Sequence, residues 1–500
     1  MRNYIIIISL FITISIFSQK LPNYNKLISA SEKLAYNFEF DSCKSLINTA
    51  IKLSPERPEA FQVLSKIHLW YFLGSKENND YKQFFEFSDS TLLLAEKLLD
   101  EDEENTDLLY LFGNIFKYRA MAYGTGGSTL DAFWATKKAV SFYEDVIDLD
   151  SNYYDAYGGI GIFEYALSYV PALFNWALSL SGLSADQKNG FEFIQIASQK
   201  GQLDKTEYKF HLSKLFDEHL ADYEKSLGIL NKLIKKFPLN PLFHYQAAIE
   251  YIKSKNLKLA NEELLHVLEI NHPKFIQTNS FSNFLLGDIH FRQNNFKLAK
   301  EYYHTFLITT KTIDYTGIAS LRTAYCNYFL DDEQEFKKYA LLAANGNLDL
   351  EDDKYAHQMS FLVLENGFSG ENKFLVEIEN EFLSGKYDST LYLIENSIDS
   401  IKSDDILAQM LIYKSKSLIN LQKTKEANFT LEKIDSLEIE YSDWIEPLSL
   451  FYKAEVHYLD NKFELAKDFL NSAESSNDYQ KKNLIQSYIN GLKIKLDKVN

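Results

Sequence analysis

Turn-forming residues are scarce in this 500-residue chain: proline occurs 8 times and glycine 19 times. Proline removes a helix hydrogen bond, and glycine costs about 1 kcal/mol in a helix relative to alanine. So few breakers exclude a turn-rich all-β fold and leave room for long helices. Cysteine occurs twice, as Cys43 and Cys326, too few for a disulfide framework or a thiolate zinc site. Positive charge is in deficit, with 52 Lys and Arg against 70 Asp and Glu and a net charge of -18. That balance argues against gripping a nucleic-acid backbone. No Gly-x-Ser-x-Gly elbow and no phosphate loop occurs, and neither cysteine has a nucleophile's setting. His211 and His219 are two helical turns apart, too far to share one metal ion. The acidic run Asp100 to Glu104 lacks the central glycine and later glutamate of a calcium loop and reads as a solvated connector. The sequence thus offers no catalytic residue, no cofactor site and no metal ligand.

Apolar and aromatic surface is plentiful: 46% of residues are apolar, with 37 Phe and 33 Tyr. Burial on that scale can offset the entropy of ordering the chain, which excludes intrinsic disorder. The longest apolar run opens the chain, from Tyr4 to Phe17, preceded by Arg2 and followed by Ser18-Gln19-Lys20. It is shorter than the ~20 residues of a membrane-spanning helix and has the charged start and small-residue end of a secretory signal peptide. The Phe-Ser-Gln ending resembles signal peptides of envelope proteins from diderm bacteria. Residues 1–18 are therefore expected to be removed, leaving a periplasmic or extracellular protein with no lipid-anchoring cysteine; an uncleaved anchor is the alternative. That compartment would permit a bond between Cys43 and Cys326, which the sequence leaves open. No later stretch is long and apolar enough to span a bilayer: residues 158–180 come nearest, and Pro171 breaks them.

The chain repeats itself. Ala247-Ala248, Tyr251, Ala260, Leu264 and Val267 recur 39 residues later as Leu286-Gly287, His290, Ala299, Tyr303 and Phe306. Ala454, His457, Ala466, Leu470 and Ala473 repeat the pattern, as do Ser415, Leu418, Ala427, Leu431 and Ile434. A small residue on one helix lets its neighbour approach, and apolar residues at i+4 and i+7 of the second helix face the first. Short polar turns, such as Ser254-Lys255-Asn256, separate the two helices. Each hairpin then has apolar surface left over and is completed by stacking on the next. His290 and His457 stand where the pattern usually has Tyr and read as packing residues.

This spacing resembles the tetratricopeptide repeat. Leu109, Phe112-Gly113, Phe116, Ala139, Tyr143 and Val146 fit its motif, with a long insertion between the helices. Leu27, Ala30-Ser31, Leu34, Cys43, Ile47, Ala50 and Pro55 fit closely, and Ser226, Leu230, Leu233 and Pro238 fit a second helix. The expected fold is an all-α superhelical solenoid of roughly nine to eleven hairpins. Units near 315–345 and 353–398 match weakly. The expected divisions are residues 19–205 with elaborated repeats, 206–345 with central repeats and 346–500 with C-terminal repeats. Hinges are expected at Asn345-Gly346-Asn347 and at residues 365–370. In the elaborated part, Gly124 to Ser128 reads as a turn followed by a helix start at Ser128-Thr129. Residues 108–203 are similar to a eukaryotic tetratricopeptide subfamily linked with lipid droplets and inclusion clearance.

The resemblance implies a protein- or peptide-binding scaffold whose first helices line a groove. Tyr245, Ile249, Phe284, Asp288, Phe291, Phe451, Glu455 and Tyr458 are the expected groove residues. Such an aromatic and acidic wall suits an extended peptide with apolar and basic side chains. The rival expectations are a lipid- or glycan-handling envelope module and an enzyme with its pocket in residues 113–205.

Overall fold

The computed structural model describes residues 23–168, 183, 185–476 and 479–499. The signal segment, residues 1–18, and the second half of the apolar stretch 158–180, residues 169–180, lie outside the described residues. Among the described residues the chain is built from 24 α-helices and two short 3₁₀ turns, with no strand. No helix among them is long and apolar enough to cross a membrane.

Eleven antiparallel hairpins account for 22 of the helices. In chain order they are α1 (Tyr24–Tyr36) with α2 (Phe40–Leu53), α3 (Glu59–Ser75) with α4 (Asn78–Leu99), and α5 (Thr106–Thr125) with α6 (Thr129–Leu149). Next come α7 (Tyr154–Leu167) with α8 (Gln187–Lys200), α9 (Lys205–Glu218) with α10 (Tyr223–Lys236), and α11 (Pro241–Lys253) with α12 (Leu257–Ile270). Then follow α13 (Ile276–Arg292) with α14 (Phe296–Thr309) and α15 (Thr316–Phe329) with α16 (Glu333–Ala343). After the single helix α17 (Glu351–Asn366) come α18 (Gly370–Leu383) with α19 (Tyr387–Ser397), α20 (Asp404–Asn420) with α21 (Thr424–Ile434), and α22 (Ile445–Leu459) with α23 (Phe463–Glu474). Helix α24 (Lys482–Asp497) ends the chain's stack against α22 and α23. The weakly matching stretch 353–398 thus contains a lone helix and one hairpin.

The recurring small residues do what their spacing demands. A Cβ at Gly287 on α13 would sit 2.6 Å from the ring of Tyr303 on α14, and one at Gly113 on α5 would sit 2.5 Å from Tyr143 on α6. Both rings are fully buried, as are Ala139, Ala260, Ala299, Ala427 and Ala466. The second helices bury one stripe only, for example Leu257, Ala260, Leu264 and Val267 on α12. The first helices are buried nearly all round, as on α5, where Leu109 through Ile115 are all covered. The second helices therefore form the outside of the coil and the first helices its inside. His290 stacks on Tyr302 and His457 on Phe469, with ring centroids 5.4 and 5.3 Å apart. The same packing thus recurs at the same repeat position.

Eight hairpins close with one turn. Its central residue has positive φ, and the next residue's N–H reaches back five residues to a helix carbonyl. In α20–α21 that residue is Gln422, φ 61°, and Lys423 N–H donates to Leu418 O at 2.9 Å. Only Gly127 and Gly385 put glycine there; Phe38, Lys255, Asn294, Asp331 and Asn461 do so without it. The helix-rich chain is therefore poor in glycine partly because its turns run in the left-handed region on ordinary side chains.

The insertion expected between the two helices of residues 109–146 is absent: α5 and α6 are simply long, at 20 and 21 residues, and Gly126, Gly127 and Ser128 join them. The acidic run is an exposed connector before Asn105, which caps α5 by accepting from Leu108 N–H at 3.1 Å. The stretch 345–347 is tied down by buried Asp353, which accepts from Asn347 N–H and Ile318 N–H at 2.8 Å each. Cys43 and Cys326 are both free and fully buried. Burial pushes the Cys43 thiol up to about 12, and the thiol donates to Ser31 O at 3.1 Å.

The coil closes on itself along its length. Asn240 Nδ2 donates to Tyr36 O at 2.8 Å, and the rings of Phe38 and Phe275 lie 4.5 Å apart. Ser384 Oγ donates to Arg292 O at 2.8 Å, and Asn490 Nδ2 to His219 O at 3.1 Å. Helices α1 to α8 wind back onto α9, and α9 to α24 form a second coil whose last helix returns to α9.

Candidate functional site

The interior of the first coil is filled. Asp204, at the head of α9, accepts from Tyr110 OH at 2.7 Å and Asn114 Nδ2 at 2.9 Å, both on α5, and faces Lys66 Nζ of α3 at 3.4 Å. Lys117 Nζ donates to Glu207 at 2.8 Å, and Tyr118 OH donates to the same carboxylate at 3.0 Å. Tyr143 OH donates to Asn114 Oδ1 at 2.9 Å, and Tyr208 OH to Asp155 O at 2.7 Å. Burial alone would raise the Asp204 carboxyl; Lys66, Lys117 and the two neutral donors outweigh it and hold the group well below the usual carboxylate range. Every charge in this network has a partner, as burial requires.

The inner helices of the second coil carry cations that keep more of their surface. Consecutive inner helices are joined by pairs separated by about one repeat. Lys253 Nζ of α11 reaches both oxygens of Asp217 of α9 at 2.7 and 2.6 Å. Arg322 of α15 pairs with Asp288 of α13. Tyr413 OH of α20 donates to Glu379 of α18 at 2.8 Å, and Lys416 Nζ of α20 to Glu455 of α22 at 2.7 and 2.6 Å. The sequence separations are 36, 34, 34 and 39 residues, the repeat period itself. The cations differ most: Arg322, Lys416 and Lys253 keep 25%, 21% and 36% of their side-chain surface against 4% and 1% for Lys66 and Lys117, while the carboxylates overlap, Asp288 and Asp217 being nearly buried and Glu455 and Glu207 partly exposed. Tyr245 of α11, Tyr355 of the single helix α17 and Tyr488 of the last helix α24 are half-buried, and burial raises each phenol above its ordinary range.

The eight residues expected to line a groove divide. Tyr245 and Ile249 lie half-buried on α11. Phe284, Phe291 and Phe451 are core instead: Phe284 packs on Phe306 at 5.2 Å, Phe291 on Phe296 at 5.6 Å, and Phe451 on Tyr488 at 5.6 Å. Closely approaching helices leave such large rings between them rather than on the wall. Asp288 and Glu455 are spent on the pairs with Arg322 and Lys416, and Asp288 also accepts from Tyr303 OH at 2.7 Å. Tyr458 packs beside Phe463 at 5.9 Å. The wall is thus of mixed charge rather than acidic. Sequence reasoning missed Arg322, Lys416, Glu379, Tyr355 and Tyr488; the available signal was opposite charges one repeat apart on first helices.

No protein-family model and no curated protein matches the chain. Among solved structures it is similar to the TPR domain of P58(IPK), with 12% identity over 96% of this chain and 99% of that one and a TM-score of 0.22. It is similar also to yeast Tom70, at 12% identity over 95% and 96% and a TM-score of 0.29. A third likeness is to the Cut9–Hcn1 hetero-tetramer of APC/C, at 14% over 95% and 91% and a TM-score of 0.28. With superpositions this loose, the solenoid stands on its own helices and hairpins.

Proposed function

We propose that the chain is a non-catalytic scaffold for a protein or peptide partner, exported to the space of a bacterial envelope, and that the interior wall of the second coil is its binding surface. The observation that carries this reading is the contrast in exposure. The inner helices of α11 to α24 present half-buried tyrosines and partly exposed charges that already neutralise one another. Tyrosine combines an apolar body with a hydrogen-bonding tip and is favoured at recognition hot spots. Because Asp288 and Glu455 are paired, a partner gains less from basic side chains than an acidic wall would offer. Recognition then rests on aromatic contact and hydrogen bonds to the tyrosine hydroxyls. The export reading rests on Arg2, the apolar run Tyr4 to Phe17 and Ser18.

The test is affinity capture from envelope extract with the wild type and with Tyr355→Ala/Tyr488→Ala. One stoichiometric protein held by the wild type and lost by the variant is expected; lipid or glycan recovered alone would replace the scaffold reading. Sequencing the N-terminus of the exported protein tests the address, with Gln19 the expected first residue.

A further inference from the structure

A cavity opens where the two coils meet, between α1, the head of α9 and α10. It encloses about 240 Å³, smaller than the ~300–1,000 Å³ of pockets for drug-sized ligands. In a chain of net charge -18, five lysines line it: Lys33 from α1, Lys205 and Lys209 from α9, and Lys232 and Lys236 from α10. Among the described residues none of the five forms an ion pair with a carboxylate of the chain, though Lys205 Nζ donates to Gln199 O at 2.5 Å. Glu32 is the one acidic residue of the lining, and it faces Lys66 Nζ at 3.5 Å. Behind that wall Asp204 and Glu207 are already taken up by Lys66, Lys117, Tyr110 and Tyr118. Burial lowers the Lys209 ammonium, and Lys205, Lys236 and Lys232 lower it further, so four like charges crowd one small space.

Tyr36 also borders the cavity, but its hydroxyl is out of solvent contact and lies on the side of Lys66, Glu207 and Asp204. The occupant that relieves the crowding of the ammonium groups is an anion. We propose that this cavity binds a compact, multiply charged oxyanion, a phosphate compound or a polycarboxylate, held by Lys33, Lys205, Lys209, Lys232 and Lys236. Lysine ammoniums are point charges that suit a small polyanion without demanding a planar carboxylate fork. Such a ligand touches α1 and α10 at once and so fastens the start of the first coil to the second.

Isothermal titration of the full chain at low ionic strength, with pyrophosphate and separately with citrate, tests the site. One site per chain is expected for at least one probe. Pyrophosphate alone assigns a phosphate site and citrate alone a polycarboxylate site, and neither binding overturns the proposal. Lys209→Met/Lys236→Met is expected to weaken binding about tenfold or more. Lys425→Met/Lys433→Met, on α21, should bind as the wild type does. Should the double variant melt early, Lys33→Met carries the test. A loss of about threefold or more with the wild-type melting curve supports the site, and undiminished binding overturns it.

Discussion

The two coils use the same hairpin and reach opposite interiors. In the first, Lys66, Lys117 and Asp204 are sealed in a network of tyrosines; in the second, Arg322, Lys416 and Glu455 line a wall that solvent still reaches. The difference tracks small residues on the inner helices. Helix α7 carries Gly158, Gly159 and Gly161, and added Cβ atoms there would run into Tyr208, Tyr143 and the backbone at Gly190 respectively. Gly158 brings α7 onto the Tyr208 ring of the next inner helix, α9, while Gly159 and Gly161 seat the outer helices α6 and α8. In the second coil Gly287 seats the Tyr303 ring of its own hairpin, and among the described residues no glycine there meets a ring of the next inner helix. A change in a few side chains per repeat, summed over several hairpins, separates a structural plug from a surface that can bind.

The sharpest way to break this comparison is to remove one carboxylate from each interior. Asp204→Ala leaves the buried Lys66 with Glu32 alone, at 3.5 Å, and strips Tyr110 OH and Asn114 Nδ2 of their acceptor in a dry site, and a loss of about 3–5 kcal/mol in urea unfolding is expected. Glu455→Ala frees Lys416 into a partly wet wall, and a loss of about 1 kcal/mol or less is expected. Equal losses would show that the two interiors are not different in kind.

A second prediction uses pH. Glu250 is fully buried on α11; one oxygen accepts from Gln246 Nε2 at 2.8 Å and the other has no partner. Burial, and then the nearby Asp217 carboxylate, push its carboxyl up to about 8. Between its ordinary value of 4.5 and about 8 the folded chain keeps a proton that the unfolded chain releases. Stability therefore falls as pH rises through that window, by at most about 1.4 kcal/mol per pH unit from this group. Glu250→Gln removes that contribution, so the difference between wild-type and variant urea midpoints should shift in the variant's favour from pH 5 to pH 8. A constant difference would sink this assignment.

How much of this was readable in the chain depends on range. The hairpin register was legible because it is local: Ala260, Leu264 and Val267, or Gly287 against Tyr303, lie within a few tens of residues. Coil closure was not. Lys66 meets Asp204 across 138 residues, Tyr36 meets Asn240 across 204, and His219 meets Asn490 across 271. Those contacts depend on superhelical pitch, a sum of small rotations that no single repeat encodes. The expected groove suffered from the same gap. Phe284 and Phe451 carry the right residue type at the right offset, but their side chains fill the space between helices. Asp288 and Glu455 looked free because their partners sit one repeat away.

The smallest expected effect concerns what the coils share. Their hairpin turns place a residue at positive φ, where a Cβ costs about 1–2 kcal/mol and glycine costs little. In α20–α21 that residue is Gln422, at φ 61°, with its N–H on Ile419 O at 3.0 Å and Lys423 N–H on Leu418 O. Both bonds are backbone bonds and survive substitution. Gln422→Gly should therefore stabilise the chain, by up to about 1 kcal/mol, because glycine's extra freedom in the unfolded chain takes back part of the gain. Gly127→Ala, the reverse change in the first coil at φ 84°, should destabilise by a similar amount, although a Cβ there meets nothing within 4 Å. Thermal unfolding of the two variants reads the signs directly. If both shift the same way, the turns are not the common joint of the two coils, and the difference between the interiors would have to begin in the loops rather than in the helices.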